Sequence, residues 1–108
     1  MERTQPRGRV VELNRYDQGT VSLWGRGYAH VFGQLGLRPL AEAAMHAVLA
    51  GLRRRNALDL FRCYDDDTAN DVELVRSVMP PDTDEQTLHD VRDAAFFTRW
   101  LQLNGQVP

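Results

Sequence analysis

The segment from Thr83 to Leu103 constrains the fold more than any other, because its signals are helical and it is apolar around most of its circumference. Thr83 and Gln86 have the spacing of a capping box, and Asn104-Gly105 is a typical C-terminal signal. The apolar residues of its second half are Ala94, Ala95, Phe96, Phe97, Trp100, Leu101 and Leu103. A helix that is apolar on nearly every side must lie at the centre of a core or against a partner.

The rest of the chain offers limited material for covering such a helix. The whole chain has 108 residues, 43% of them hydrophobic, which is the size and content of one domain. We expect a flexible arm at residues 1–8 and a single domain at 9–108. No apolar run reaches the roughly 18 residues that a membrane span needs, and the first residues lack the apolar segment of a secretory signal. A lone cysteine can form no internal disulfide. The expected protein is therefore soluble and cytoplasmic.

Three short segments have the pattern of strands. Residues 10–16 and 20–24 are rich in β-branched and aromatic side chains, and they flank Asp17-Gln18-Gly19, where glycine can supply the positive φ of a hairpin turn. A third strand is predicted over 57–64, with Leu58 and Leu60 opposite Phe61 and Cys63. The pattern therefore predicts an N-terminal β-hairpin and a third strand in one small sheet.

Four segments have helical spacing. They are residues 28–35 closed by Gly36, residues 40–54 after Pro39, residues 69–79 capped by Thr68 and stopped by Pro80-Pro81, and the C-terminal helix. Thr83 is predicted to cap the last of these. The element order is β-β-α-α-β-α-α, which predicts an α+β fold with about four helices packed on the sheet.

The net charge of −2 is unevenly distributed. Residues 1–55 carry nine arginines against four acidic residues, a charge of +5, whereas residues 56–108 carry four arginines against eleven, a charge of −7. Such a division is compatible with a nucleic-acid face, a charged partner, head-to-tail self-association, or neutralisation within the folded domain. The candidate anion or nucleic-acid residues are Arg26, Arg53, Arg54 and Arg55. We expect any nucleic-acid binding to be weak and salt-sensitive, because the acidic half repels phosphates.

No metal or catalytic motif is complete. An EF-hand alignment from Asp65 places Asn70 where glycine is required and Arg76 where a bidentate glutamate is required. Asp65, Asp66 and Asp67 are therefore predicted to favour the N-terminal end of a helix rather than bind metal. The chain has no HxxxH, CxxC, nucleophile-elbow or phosphate-loop pattern, so no cofactor, metal or catalytic residue is predicted.

Three functions remain open from the sequence. The leading interpretation is a non-catalytic accessory or regulatory protein that binds another protein, with a homodimer expected, through Phe96, Phe97, Trp100 and Leu101. The first alternative is a nucleic-acid-binding regulator that uses the basic first half. The second is a small-molecule-binding or cyclase-like enzyme with a pocket between sheet and helices. Its lining residues would be Trp24, Tyr28 and Trp100.

Overall fold

The computed structural model describes residues 15–33 and 39–105 of the chain. Within these ranges the protein is a bundle of five α-helices without a strand. The helices are α1 (Arg15–Gly33), α2 (Pro39–Arg54), α3 (Leu60–Asp66), α4 (Thr68–Val78) and α5 (Glu85–Leu103). The prediction of an α+β fold with a small sheet is therefore wrong. The predicted arm at residues 1–8 lies outside the described residues.

The second half of the predicted hairpin forms part of α1. The turn and the strand predicted over 17–24 are helical, and residues 10–14 of the first strand lie outside the described residues. Residues 20–24 also fit a helix, because Val21 and Trp24 are at helical spacing and Tyr28 continues the same face. Trp24 is fully buried, and Val21 and Tyr28 pack against the same core. The helix predicted to begin at Tyr28 is the last part of α1, and its predicted end at Gly36 lies outside the described residues.

The third predicted strand is also helical over most of its length. Asp59 caps α3 by accepting a hydrogen bond from the backbone N–H of Arg62 at 3.2 Å. Leu60 is fully buried, and Phe61 and Tyr64 pack on the same core. This spacing belongs to a helix, since a strand would point residues 60 and 61 to opposite faces.

The predicted bounds of α2, α4 and α5 are confirmed to within one or two residues, but the predicted caps are wrong. Asp84 caps α5 by accepting from the N–H of Thr87 at 3.3 Å, while Thr83 donates its hydroxyl to the carbonyl of Pro80 at 2.7 Å. Thr68 is the first residue of α4, and its hydroxyl donates to the carbonyl of Tyr64 at 2.7 Å. In both cases an aspartate takes the capping position beside the predicted threonine.

Helix α5 is the centre of the bundle and contacts each of the other four helices. Its fully buried apolar residues are Leu88, Val91, Ala94, Ala95 and Phe96. Trp24 enters this core from α1, with its ring centroid 5.5 Å from Phe96 and 5.2 Å from Phe61. None of the described helices is long and apolar enough to cross a lipid bilayer.

Candidate functional site

An apolar groove of about 460 Å³ opens where the start of α2 meets the end of α4 and the connection from α4 to α5. Its lining residues are Pro39, Leu40, Met79, Pro80, Asp82, Thr83, Asp84 and Thr87. Two prolines shape it: Pro39 is the first residue of α2, where its missing N–H costs nothing, and Pro80 follows the end of α4. Leu40 remains 47% exposed at its edge. The sequence predicted both prolines as helix boundaries but gave no sign that they share a groove.

The polar groups of the groove are largely used by the local backbone. The hydroxyl of Thr83 donates to the carbonyl of Pro80, and Asp84 accepts from the N–H of Thr87. The floor is therefore apolar, and the exposed carboxylates of Asp82 and Asp84 form an acidic rim. The hydrogen bond from Thr87 lowers the pKa of Asp84, so this rim residue is ionised at neutral pH.

The four predicted partner-binding residues do not share one surface. Phe96 is fully buried, 5.2 Å from the ring of Tyr64. Phe97, Trp100 and Leu101 are half-buried. Phe97 stacks on Trp100 with centroids 6.2 Å apart, and it also contacts Tyr28 of α1 at 5.5 Å. These side chains are therefore largely covered by contacts within the chain. Phe97 and Trp100 form an aromatic cluster with Tyr28 between α1 and α5.

The predicted ligand-pocket residues belong to the hydrophobic core and its edge. Trp24 lies in the core, stacked on Phe61. Tyr28 and Trp100 both pack against Phe97. None of the three lines the groove described above.

The predicted basic residues divide into paired and unpaired arginines. Arg53 and Arg54 are exposed on the last turn of α2 and form no ion pair within the described part of the chain. Arg55, by contrast, binds the carboxylate of Asp67 and donates to the carbonyl of Gly51 at 3.2 Å. The structure therefore leaves two of the three consecutive arginines available.

Arg26 is exposed within α1, and the glycines on both sides of it belong to the same helix. Sequence reasoning missed Arg99, which is half-buried on α5. Burial, followed by the positive charge of Arg53, lowers the pKa of Arg99. No spacing in the sequence indicates that α2 and α5 bring these two arginines into electrostatic contact.

Sequence reasoning also missed a polar network in the core. The guanidinium of Arg92, which is 1% exposed, donates to Asp71 at 3.4 Å and to the carbonyl of Tyr64. It lies 4.0 Å from the centroid of the Tyr64 ring. The hydroxyl of Tyr64 donates to Asp93 at 2.7 Å. These groups come from three helices and are enclosed, which fits a role in holding the helices together.

A second polar contact joins α1 to α5. Asp90 is bound by His30 of α1 and accepts from the side-chain amide of Gln86 at 2.9 Å. Within residues 15–33 and 39–105, no three histidine, cysteine, aspartate or glutamate side chains converge into a possible metal site. Two of the three consecutive aspartates have arginine partners, Asp66 with Arg62 and Asp67 with Arg55.

Cys63 is half-buried on α3 and packs against the core. Burial raises the pKa of its thiol, and the nearby Arg55 only partly opposes that effect. The thiolate, which is the nucleophilic form, is therefore disfavoured at neutral pH. This environment fits a packing role for Cys63.

Asp93 should make the stability of the fold depend on pH. Burial raises its pKa, and the hydrogen bond from Tyr64 and the charge of Arg92 oppose that rise. With a raised folded pKa, the contribution of Asp93 is fully present below its unfolded pKa, near 3.9, and is lost as pH rises through the folded pKa. As the pH rises from about 4 to 7, the wild type should therefore lose stability, and the Asp93→Asn variant should lose less. Urea unfolding at several pH values measures this difference.

The exposed Asp82→Asn variant is the matched control and should follow the wild-type pH dependence. Parallel curves for wild type and Asp93→Asn would show that protonation of Asp93 is not coupled to folding.

Comparison with protein-family models, curated proteins and solved structures finds no match for this chain. No activity can therefore be carried over from a relative. The groove, its acidic rim and the unpaired arginines are the features on which a function can rest.

Proposed function

We propose that this chain is a small non-catalytic accessory or regulatory domain that acts by protein–protein binding. The observation that carries the proposal is the open apolar groove between α2 and α4. Its volume of about 460 Å³ lies in the range of roughly 300–1,000 Å³ that is typical of ligand sites. Leu40 is 47% exposed at its edge, and full burial of a leucine contributes about 1.5–3 kcal/mol. A partner that covers Leu40 would recover part of that free energy.

The chemistry of the lining favours recognition over catalysis. None of the eight lining residues is a histidine or a cysteine, and the Thr83 hydroxyl and Asp84 carboxylate are engaged with the backbone. The apolar floor fits an apolar side chain, and the acidic rim of Asp82 and Asp84 fits a basic residue beside it. The expected ligand is a protein segment in which a large apolar residue is flanked by arginine or lysine.

A displayed library of short random peptides tests this proposal. Peptides selected on the wild-type protein and counter-selected on Leu40→Arg should share an apolar anchor with adjacent basic residues. Leu40→Arg should weaken their binding about tenfold or more, since it removes apolar contact and adds a like charge. Fluorescence anisotropy with a labelled peptide measures the affinity.

Leu74→Arg is the matched control, because Leu74 is an exposed helical leucine, 38% accessible, outside the groove lining. It should leave peptide binding unchanged. If selection yields no peptide that discriminates wild type from Leu40→Arg, the groove is not a peptide site and the proposal fails.

A further inference from the structure

The connection from α2 to α3 presents an exposed leucine directly after a hydrogen-bonded turn. Leu58 is 44% exposed, whereas the adjacent Ala57 is buried. The N–H of Asn56 donates to the carbonyl of Arg53 at 3.0 Å, and the N–H of Ala57 donates to the carbonyl of Leu52 at 3.0 Å. A side chain held on a preorganised backbone loses little conformational freedom when it binds.

Two unpaired arginines precede Leu58 in the sequence. Arg53 and Arg54 are exposed nearby in sequence, and neither forms an ion pair with any described residue. The carboxylate of Asp59, next to Leu58, is exposed and caps α3, so its single negative charge offsets one of the two arginines. We call Arg53, Arg54 and Leu58 together the arginine corner. It combines an apolar side chain with two available guanidinium groups.

The groove has the complementary properties. Its floor is apolar, and Asp82 and Asp84 of the acidic rim form no ion pair with residues 15–33 and 39–105, although the charge of His30 contributes to the lowered pKa of Asp84. Glu85, the next residue, differs because it is bound by Arg76 at 2.7 Å. The rim therefore presents two carboxylates without an ion pair, and the arginine corner presents two arginines without an ion pair.

The arginine corner cannot enter the groove of its own chain. Leu40 at the groove and Arg53 at the corner lie near opposite ends of α2, thirteen positions apart. This corresponds to about 20 Å along a helix that rises about 1.5 Å per residue. Any contact between the two surfaces must therefore join separate molecules.

We propose that the chain self-associates head to tail, with Leu58 of one copy in the groove of a second copy and Arg53 and Arg54 facing the acidic rim. This inference rests on the proposed protein-binding function and names the partner as the chain itself. Each copy carries one groove and one corner, so the contact is heterologous. It leads to a ring if the rotation closes and to a growing chain if it does not.

Two variants that block opposite surfaces test the proposal in the 108-residue chain. Leu40→Arg blocks the groove and Leu58→Asp blocks the corner, and both positions are exposed, so the helical circular dichroism should be unchanged. In sedimentation velocity, the wild-type mass should increase with concentration, whereas each variant alone should remain near the 12.3 kDa monomer. Mixed together, they should form a dimer that grows no further, because one intact groove meets one intact corner. Each substitution should weaken self-association about tenfold or more.

The controls separate charge from position. Leu74→Asp should associate like the wild type, and Arg53→Glu with Arg54→Glu should weaken association in a salt-dependent way.

A wild type that stays monomeric up to millimolar concentration would overturn the proposal. An oligomer that none of these substitutions affects, or a variant mixture that stays monomeric, would overturn it as well. Binding of duplex DNA that depends on Arg53 and Arg54, without self-association, would assign the corner to phosphates and also overturn it. Peptide binding that still depends on Leu40 in a monomeric protein would leave the proposed function standing.

Discussion

Replacement of Arg92 by methionine should destabilise the fold by about 3–5 kcal/mol, the range expected when one partner of a buried ion pair is removed. Arg92 is 1% exposed, and its partner Asp71 is 7% exposed. Without the guanidinium, the Asp71 carboxylate would be buried without its counter-ion, and the carbonyl of Tyr64 would lose a donor. A domain of this size has about 5–15 kcal/mol of stability in total. Urea unfolding followed by circular dichroism measures the loss.

Two companion variants show whether the loss comes from the uncompensated charge. The double variant Arg92→Met with Asp71→Leu should recover most of the stability, because apolar residues of similar volume often replace a buried ion pair at little cost. Arg62→Met is the exposed control. Its ion pair with Asp66, at 3.5 Å on the surface, should contribute less than about 1 kcal/mol. If Arg92→Met costs no more than Arg62→Met, the network does not stabilise the bundle.

The pH dependence of the Arg92→Met variant supplies a further check. Burial raises the pKa of Asp71, and the charge of Arg92 opposes that rise. In the variant the opposition from Arg92 is lost and only the weaker effect of Arg55 remains, so the pKa of Asp71 rises further. The variant therefore loses stability as pH rises through that pKa. The difference between variant and wild type should therefore shrink on acidification, as Asp71 takes up a proton.

The helices with uninterrupted apolar stripes were predictable from the sequence. Helix α2 follows Pro39 and carries its apolar residues at helical spacing, and the structure ends it at Arg54 as expected. The end of α5 at Leu103 also agrees, with Gly105 in a positive-φ conformation of 78°. In these segments, local propensity and tertiary packing favour the same structure, so local rules suffice.

The strand predictions were wrong where a short segment fits both the two-residue repeat of a strand and the 3.6-residue repeat of a helix. Residues 20–24 alternate like a strand, but five residues cannot exclude a helix, and burial of Trp24 against α5 decides the outcome. Most helical stability in proteins comes from such packing and not from propensity. The core network was beyond sequence reasoning for a related reason. Tyr64 and Asp93 are 29 residues apart, and only the folded bundle brings them together.

The helix boundaries at the groove were predictable from the sequence, but the groove itself was not. Pro39 and Pro80 were predicted to begin one helix and stop another, and both predictions hold. Their shared groove exists because α2 packs beside α4 and α5. Local signals therefore located the pieces of the site but not the site itself.

Gly27 of α1 lies close against α5, and replacing it should have the second large effect on stability. Gly27→Ala should destabilise the protein by about 1–3 kcal/mol, the usual cost of overpacking a core. A Cβ at position 27 would lie 2.8 Å from the Cβ of Asp93, 3.1 Å from the carbonyl oxygen of Asp90 and 3.3 Å from its Cα. The atoms of Asp90 belong to the α5 backbone, and none of the three can be moved by rotating a side chain. Relief therefore requires α1 and α5 to separate.

Gly19→Ala is the matched control, because it lies in the same helix and a Cβ there meets nothing within 4 Å. Alanine at that position should stabilise the protein by about 0.5–1 kcal/mol, since it removes the conformational entropy cost of a helical glycine. The same substitution should thus have opposite signs eight residues apart. Thermal unfolding of the two variants beside the wild type measures both effects. A stabilising Gly27→Ala would show that α1 does not pack this closely on α5, whereas the expected loss would mean that Gly27 is retained for the close contact between the two helices.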